Sequence, residues 1–147
     1  MDSKSTKEIE ELSELFHGIV KKYKYRKLEE EFSRISTITT TEIGIINIVS
    51  KNPDVILGEI CAELDIPKST LTNAINRLEK REYINRIISK RDKRSYGLQL
   101  TEEGHLVQKE HIEFEKKIYG SMLDALDTNE EREEFFKLLR KIAKYLE

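Results

Sequence analysis

Three residues, Asp65-Ile66-Pro67, separate two stretches of helical periodicity, and so short a connector leaves the chain few ways to fold. Before it, Ile60 and Leu64 share one side of a brief helix. After it, Leu71, Ile75 and Leu78 recur at three-four spacing over a helix from Lys68 to about Arg81. Pro67 has no N–H to leave unpaired, which suits the start of that helix. The opposite face of the second helix carries Lys68, Ser69, Thr72, Asn73, Asn76 and Arg77. A helix, a tight turn and a second helix that is polar outward form a helix-turn-helix pattern.

The flanks extend the pattern in both directions. Ile84 to Ile88 and Tyr96 to Leu100 read as two strands; in the second, Tyr96, Leu98 and Leu100 alternate with Gly97 and Gln99, the period of a half-buried strand. Between them Ser89-Lys90-Arg91-Asp92-Lys93-Arg94 makes a charged hairpin tip. Thr101 caps a long helix with Glu102 and Glu103 in its first turn and apolar positions at Val107, Phe114, Ile118, Met122 and Leu126. Thr128 with Glu131 forms a capping box for a last helix bearing Phe135, Leu139, Ile142 and Leu146. Upstream, Ile9, Leu12, Phe16, Ile19 and Tyr23 mark an amphipathic helix running to about Ser33. Thr39 and Glu42 open another helix, with Ile43, Ile46 and Val49 toward a core, that stops before Asn52-Pro53. A short extended piece, Val55-Ile56, follows. The expected fold is mainly α with a small antiparallel β wing: a winged helix-turn-helix embedded in a helical dimerisation frame. Its expected parts are residues 1–36 (N-terminal dimerisation helix), 37–101 (winged domain) and 102–147 (C-terminal dimerisation helices).

Charge decides what the outward polar face meets. The 147 residues carry a formal net charge of −2, yet the segment from Ile66 to Leu98 holds nine basic and three acidic side chains. That makes the segment +6 and the remainder −8, a cationic centre on an otherwise repelling body. The major groove admits one helix, whose first turns read base edges with short polar or forked side chains. Ser69, Thr70, Thr72 and Asn73 are of that kind, and Lys68 and Arg77 reach phosphates or guanine. At the tip, Arg91, Lys93 and Arg94 suit a minor groove with concentrated negative potential. Asp92 repels phosphate, and is expected to pair with a neighbouring arginine and fix the geometry of the tip. Solvated helix faces and soluble turns also carry such residues, so it is the succession of the two that points to double-stranded DNA.

From Leu57 to Gly104 the run Leu-Gly-Glu-Ile-Cys-Ala-Glu-Leu, then Lys-Ser-Thr-Leu-Thr, Arg-Leu-Glu-Lys-Arg, Asp-Lys-Arg and Leu-Thr-Glu-Glu-Gly resembles the MarR family of bacterial and archaeal regulators. The motif region is about a third of the chain, and the order of flanking helices agrees. The resemblance implies a homodimer on a pseudo-palindromic operator, usually repressing transcription. It implies recognition roles for Ser69, Thr70, Thr72, Asn73 and Arg77 and a minor-groove role for Arg94; Lys68, Asn76, Lys90, Arg91 and Lys93 complete the expected DNA-binding set. Glu82 stands where the family commonly has a glycine ending the recognition helix, and Pro67 replaces a frequent small polar residue. Family members often take a small aromatic or anionic effector between the winged domain and the frame; Phe16, His17 and Tyr23 are placed to line such a cleft, or to pack in a core.

No nucleophile, metal-protease or phosphate-loop motif appears, so no enzyme or cofactor is expected. Cys61 beside Ile60 reads as packing, and a single cysteine forms no internal disulfide, which together with the charged start of the chain predicts a cytoplasmic protein. The longest apolar run, Ile43 to Val49, is too short to span a bilayer, so no membrane partner is expected. His17, His105 and His111 share no helical face at metal-ligand spacing, so no metal site is expected. The rival readings are a winged-helix module for protein association, which this fold also supports, and a metal-responsive regulator.

Overall fold

The computed structural model describes residues 3–23 and 31–146, apart from the side chains of Ser3, Lys4 and Tyr23. Among them are six helices and two strands: α1 (Ser3–Tyr23), α2 (Thr40–Lys51), α3 (Leu57–Leu64), α4 (Lys68–Lys80), β1 (Ile84–Ile88), β2 (Tyr96–Leu100), α5 (Glu102–Asp124) and α6 (Asn129–Leu146). The chain divides into two compact units, residues 1–112 and 113–147.

In the first unit the core lies where the helix-turn-helix and the wing meet. Ile45, Ile46, Ile60, Ala74, Ile75, Leu78, Ile84 and Val107 are wholly buried there, with Leu71 and Leu98 close behind. α2 is central: it buries Ile45 and Ile48 as well as Ile46 and Val49, while Ile43 is only half-buried. The single stripe expected for it is thus widened to two faces, because other elements pack around it. Cys61 packs against this core. Gln108 Nε2 of α5 donates to Asn47 Oδ1 of α2 at 3.0 Å, a polar tie between the two helices.

Local chemistry explains the boundaries. Thr39 accepts the Glu42 N–H on its hydroxyl at 3.2 Å, and Glu42 Oε2 accepts the Thr39 N–H at 2.9 Å, the reciprocal capping box that their spacing predicts. α3 ends with Asp65 in the left-handed region at φ 49°, where Ile66 N–H bonds back to Cys61 O. Pro67 is the N-cap of α4 rather than its first helical residue, and supplies no side-chain cap. At the other end Glu82 takes φ 59°, with its N–H on Glu79 O and the Tyr83 N–H on Leu78 O. These two bonds are a Schellman stop, which favours glycine because only glycine escapes the Cβ clash of a positive φ. Glu82 makes the same turn and bears that strain.

β1 and β2 pair antiparallel from Ile84 with Leu100 to Ile88 with Tyr96, matching the expected strands residue for residue. Gly97, on the face expected to meet solvent, is buried: a Cβ there would lie 3.4 Å from Ile87. Ile56 has extended backbone, but the sheet has two strands and Val55-Ile56 pairs with neither. After the wing, Thr101 donates its hydroxyl to Glu82 O at 2.6 Å and accepts the Gly104 N–H at 3.0 Å, so one side chain both caps α5 and ties it to the end of α4. Gly104 is required here: an added Cβ would meet the Tyr83 carbonyl oxygen at 2.0 Å.

α1 has the opposite character. Ile9, Leu12, Leu15, Phe16, Ile19 and Val20 are between 41% and 60% exposed. Its expected continuation falls largely on residues 24–30, outside the described residues, and Phe32 to Thr37 are turns.

In the second unit, α6 begins with the expected box: Thr128 Oγ1 accepts the Glu131 N–H at 3.1 Å, and Glu131 accepts the Thr128 N–H at 3.2 Å. It buries no residue, and Phe136, Leu138, Leu139, Ile142, Tyr145 and Leu146 are exposed. α5 ends at Asp124, so Leu126, expected on its apolar stripe, lies in the connector.

Candidate nucleic-acid interface

The first turns of α4 hold Lys68, Ser69, Thr70 and Asn73, all exposed. Leu71, Ala74, Ile75 and Leu78 are buried on that core side, and their packing fixes which face of the helix points outward. The side chains of Ser69, Thr70 and Asn73 have no hydrogen-bond partner among the described residues. Thr72 is more inward, half-buried, with its hydroxyl donating to Lys68 O at 2.9 Å. It presents a methyl group more readily than a donor.

Farther along, the expected contacts are engaged within the protein. Arg77 Nε donates to Glu42 Oε1 at 2.7 Å, although the arginine side chain stays 53% exposed. Glu42 is 2% exposed, and burial pushes its carboxyl pKa up. The Thr39 N–H, the Arg77 guanidinium and the Thr39 hydroxyl outweigh that and hold the carboxyl below its ordinary range. Asn76 Oδ1 accepts from Arg86 Nη2 at 2.6 Å, and Arg86 also pairs with Glu79 and stacks 4.9 Å over the Tyr96 ring. One arginine of β1 thereby joins α4 to both strands. Neither Glu79 nor Arg86 is among the expected site residues, and nothing in local spacing marks them.

The wing tip divides its charges. Arg91 forks onto Glu59 at 2.8 and 2.9 Å and also reaches Asp54 O, while Lys90 lies 3.8 Å from Asp54. Hydrogen bonding from Arg91, and then from the Ile56 N–H, lowers the Glu59 pKa. Lys93 and Arg94 are exposed, and their side chains have no partner among the described residues. Asp92 does fix the tip, but not by the expected ion pair with an arginine: its Oδ1 accepts the Arg94 main-chain N–H at 2.9 Å, and its own N–H donates to buried Ser89 Oγ at 3.1 Å. A short carboxylate two residues before an N–H closes such a turn without help from a side chain.

Phe16 and His17 of the expected effector cleft are exposed on α1, with His17 Nδ1 3.3 Å from Ser13 Oγ; the Tyr23 side chain lies outside the described residues. Among the described residues no three His, Cys, Asp or Glu side chains gather as metal ligands, and no helix is long and apolar enough to cross a membrane.

Residues 36–95 match the model of the MarR family. The chain is similar along most of its length to the HTH-type transcriptional regulator YwhA of Bacillus subtilis, 26% identical over 88% of this chain and 92% of that protein. The fold closely follows a crystal structure of Streptococcus pneumoniae FabT in complex with DNA, with a TM-score of 0.75 and 27% identity over 97% of this chain and 96% of that one. The winged region of the chain is thus similar to the MarR family. YwhA is named a transcriptional regulator, and the FabT structure is a complex with DNA. The HTH-type regulator PecS of Dickeya dadantii is 34% identical over 60% of this chain and 53% of its own length. In MarR-family terms the observed wing, cap and long-helix start are the parts that carry the resemblance, and Glu82 completes the glycine turn without glycine.

Proposed function

We propose that the chain is a sequence-specific repressor that binds a pseudo-palindromic operator as a homodimer. The observation that carries the reading is a sorting of charge. Three carboxylates beside the helix-turn-helix and wing, Glu42, Glu59 and Glu79, are each paired with an arginine. Lys68, Lys80, Lys93 and Arg94 keep their charges for an outside partner, and Ser69, Thr70 and Asn73 keep their hydrogen-bonding groups. Such a surface attracts phosphates through its lysines and reads bases through the start of α4, with Arg94 in the neighbouring minor groove. The FabT complex with DNA supports the same use of the fold.

Residues 37–101 form the winged domain in this reading, with 1–36 and 102–147 as the dimerisation frame. Exposed apolar faces of the size seen on α1 and α6 are unfavourable in water and call for a partner. In a two-fold dimer they place two copies of α4 about 34–36 Å apart, one turn of DNA. A small aromatic or anionic effector lodged beside Phe16 and His17 releases DNA by favouring a different spacing.

The test is selection of bound fragments from the source genome at physiological salt, followed by a reporter carrying the selected site. A preferred fragment with two inverted half-sites, and a reporter silenced by the protein, is the expected result. Binding without sequence preference, or activation, contradicts it.

A further inference from the structure

An open cleft of about 420 Å³ lies beyond the base-reading turns of α4, lined by Thr37, Thr39, Glu42, Arg77, Lys80 and Arg81. Three cations share it with one carboxylate. That carboxylate is buried and fully engaged: Oε2 accepts from Thr39, and Oε1 accepts from Arg77 Nε. Arg77 is therefore held by one nitrogen while its terminal nitrogens have no hydrogen-bond partner among the described residues. Lys80 is exposed and likewise without one. Arg81 is fastened to the rim, donating Nη1 to Thr37 O at 3.0 Å and Nη2 to the Thr37 hydroxyl, with its guanidinium 5.1 Å over the Tyr83 ring. Thr70, Asn73, Arg77 and Lys80 follow one another at spacings of three and four, so the cleft continues the line of the reading face along the helix. A cation near the end of α4 also suits the helix dipole. That preference requires neither a cleft nor an arginine anchored by a buried acid.

We propose that this cleft binds a phosphodiester of the DNA backbone flanking the bases read by Ser69 to Asn73. Arg77 and Lys80 are its ligands, and Glu42 and Arg81 are positioning residues that aim and frame them. The proposal rests on the DNA-binding reading and adds a defined phosphate to it. Planar arginine and mobile lysine are the two side chains suited to a phosphate, and Glu42 fixes the plane of the first.

The experiment uses the full-length protein and its selected operator duplex. Lys80→Gln removes a charge with no partner to lose and should leave the melting temperature unchanged. The slope of log K against log salt should fall by about 0.9 for each cleft engaged, with the order of preference among sequences kept. Neutral methylphosphonate linkages placed one at a time along the operator should reveal a position that weakens wild type several-fold and the variant hardly at all. An unchanged slope with wild-type operator binding intact overturns the cleft and leaves the DNA-binding reading standing. A melting shift with inorganic phosphate, but no change of slope, assigns the site to free phosphate and also overturns the proposal. Wild type that prefers no fragment overturns both readings.

Discussion

The winged region and α1 are built from similar apolar residues and bury them differently. Ile45, Ile60, Ile75 and Ile84 are wholly enclosed within the first unit, whereas Leu12 and Phe16 of α1 are 56% and 60% exposed. α6, in the second unit, has no buried residue at all. Both α1 and α6 have strong helical amphipathicity, so periodicity alone does not separate a helix that completes a core from one that awaits a partner. The difference teaches that the winged region closes its core within one chain, whereas in the proposed dimer the terminal helices bury their apolar faces against a second copy.

Substitutions can break or sharpen that contrast. The largest effect is expected from Ile75→Ala, which empties a wholly buried site of α4 and should cost about 2–5 kcal/mol in denaturant unfolding. A loss as small as a surface substitution would mean the winged core is not closed within one chain.

Glu42→Gln comes next. It removes the charge that Arg77 and Thr39 hold, and should cost about 1–3 kcal/mol near neutral pH. Because the folded pKa of Glu42 lies below its unfolded value of about 4.3, its contribution is complete above that pH and lost as pH falls through the folded value. Wild type and variant should therefore converge in stability as pH falls below that folded value, measured by denaturant unfolding at several acidic pH values. A constant gap across that range contradicts the role.

The smallest effect on the winged region belongs to Leu12→Glu on α1. It should change unfolding of the winged core by no more than about 0.5 kcal/mol, while sedimentation shows a shift from dimer to monomer. If the variant instead unfolds the core, α1 is part of it.

Features set by neighbours in sequence are legible in the amino-acid order alone. The second strand follows from period-two alternation, and the boxes at Thr39 and Thr128 from residues three apart. Contacts across long separations are not. Arg77 with Glu42, and Arg91 of the wing tip with Glu59, join residues that only the folded chain brings together, and so two arginines expected to face DNA make hydrogen bonds within the protein. Asn76 is engaged by Arg86 for the same reason, though it stays exposed. Asp92 is legible as an organiser of the tip, but its partner is a main-chain N–H, a geometry that charge alone does not specify. Cleft formation around Lys80 and Arg81 likewise depends on Thr37, far off in sequence.

Equilibrium binding of the selected operator by Ser69→Ala/Asn73→Ala and by Arg94→Ala, each against wild type and against an unrelated duplex, tests the paired reading face. Each variant should lose about 1–3 kcal/mol of operator affinity, roughly 5- to 150-fold, with binding to the unrelated duplex changed far less by the α4 pair. Operator affinity equal to wild type in both variants would contradict it.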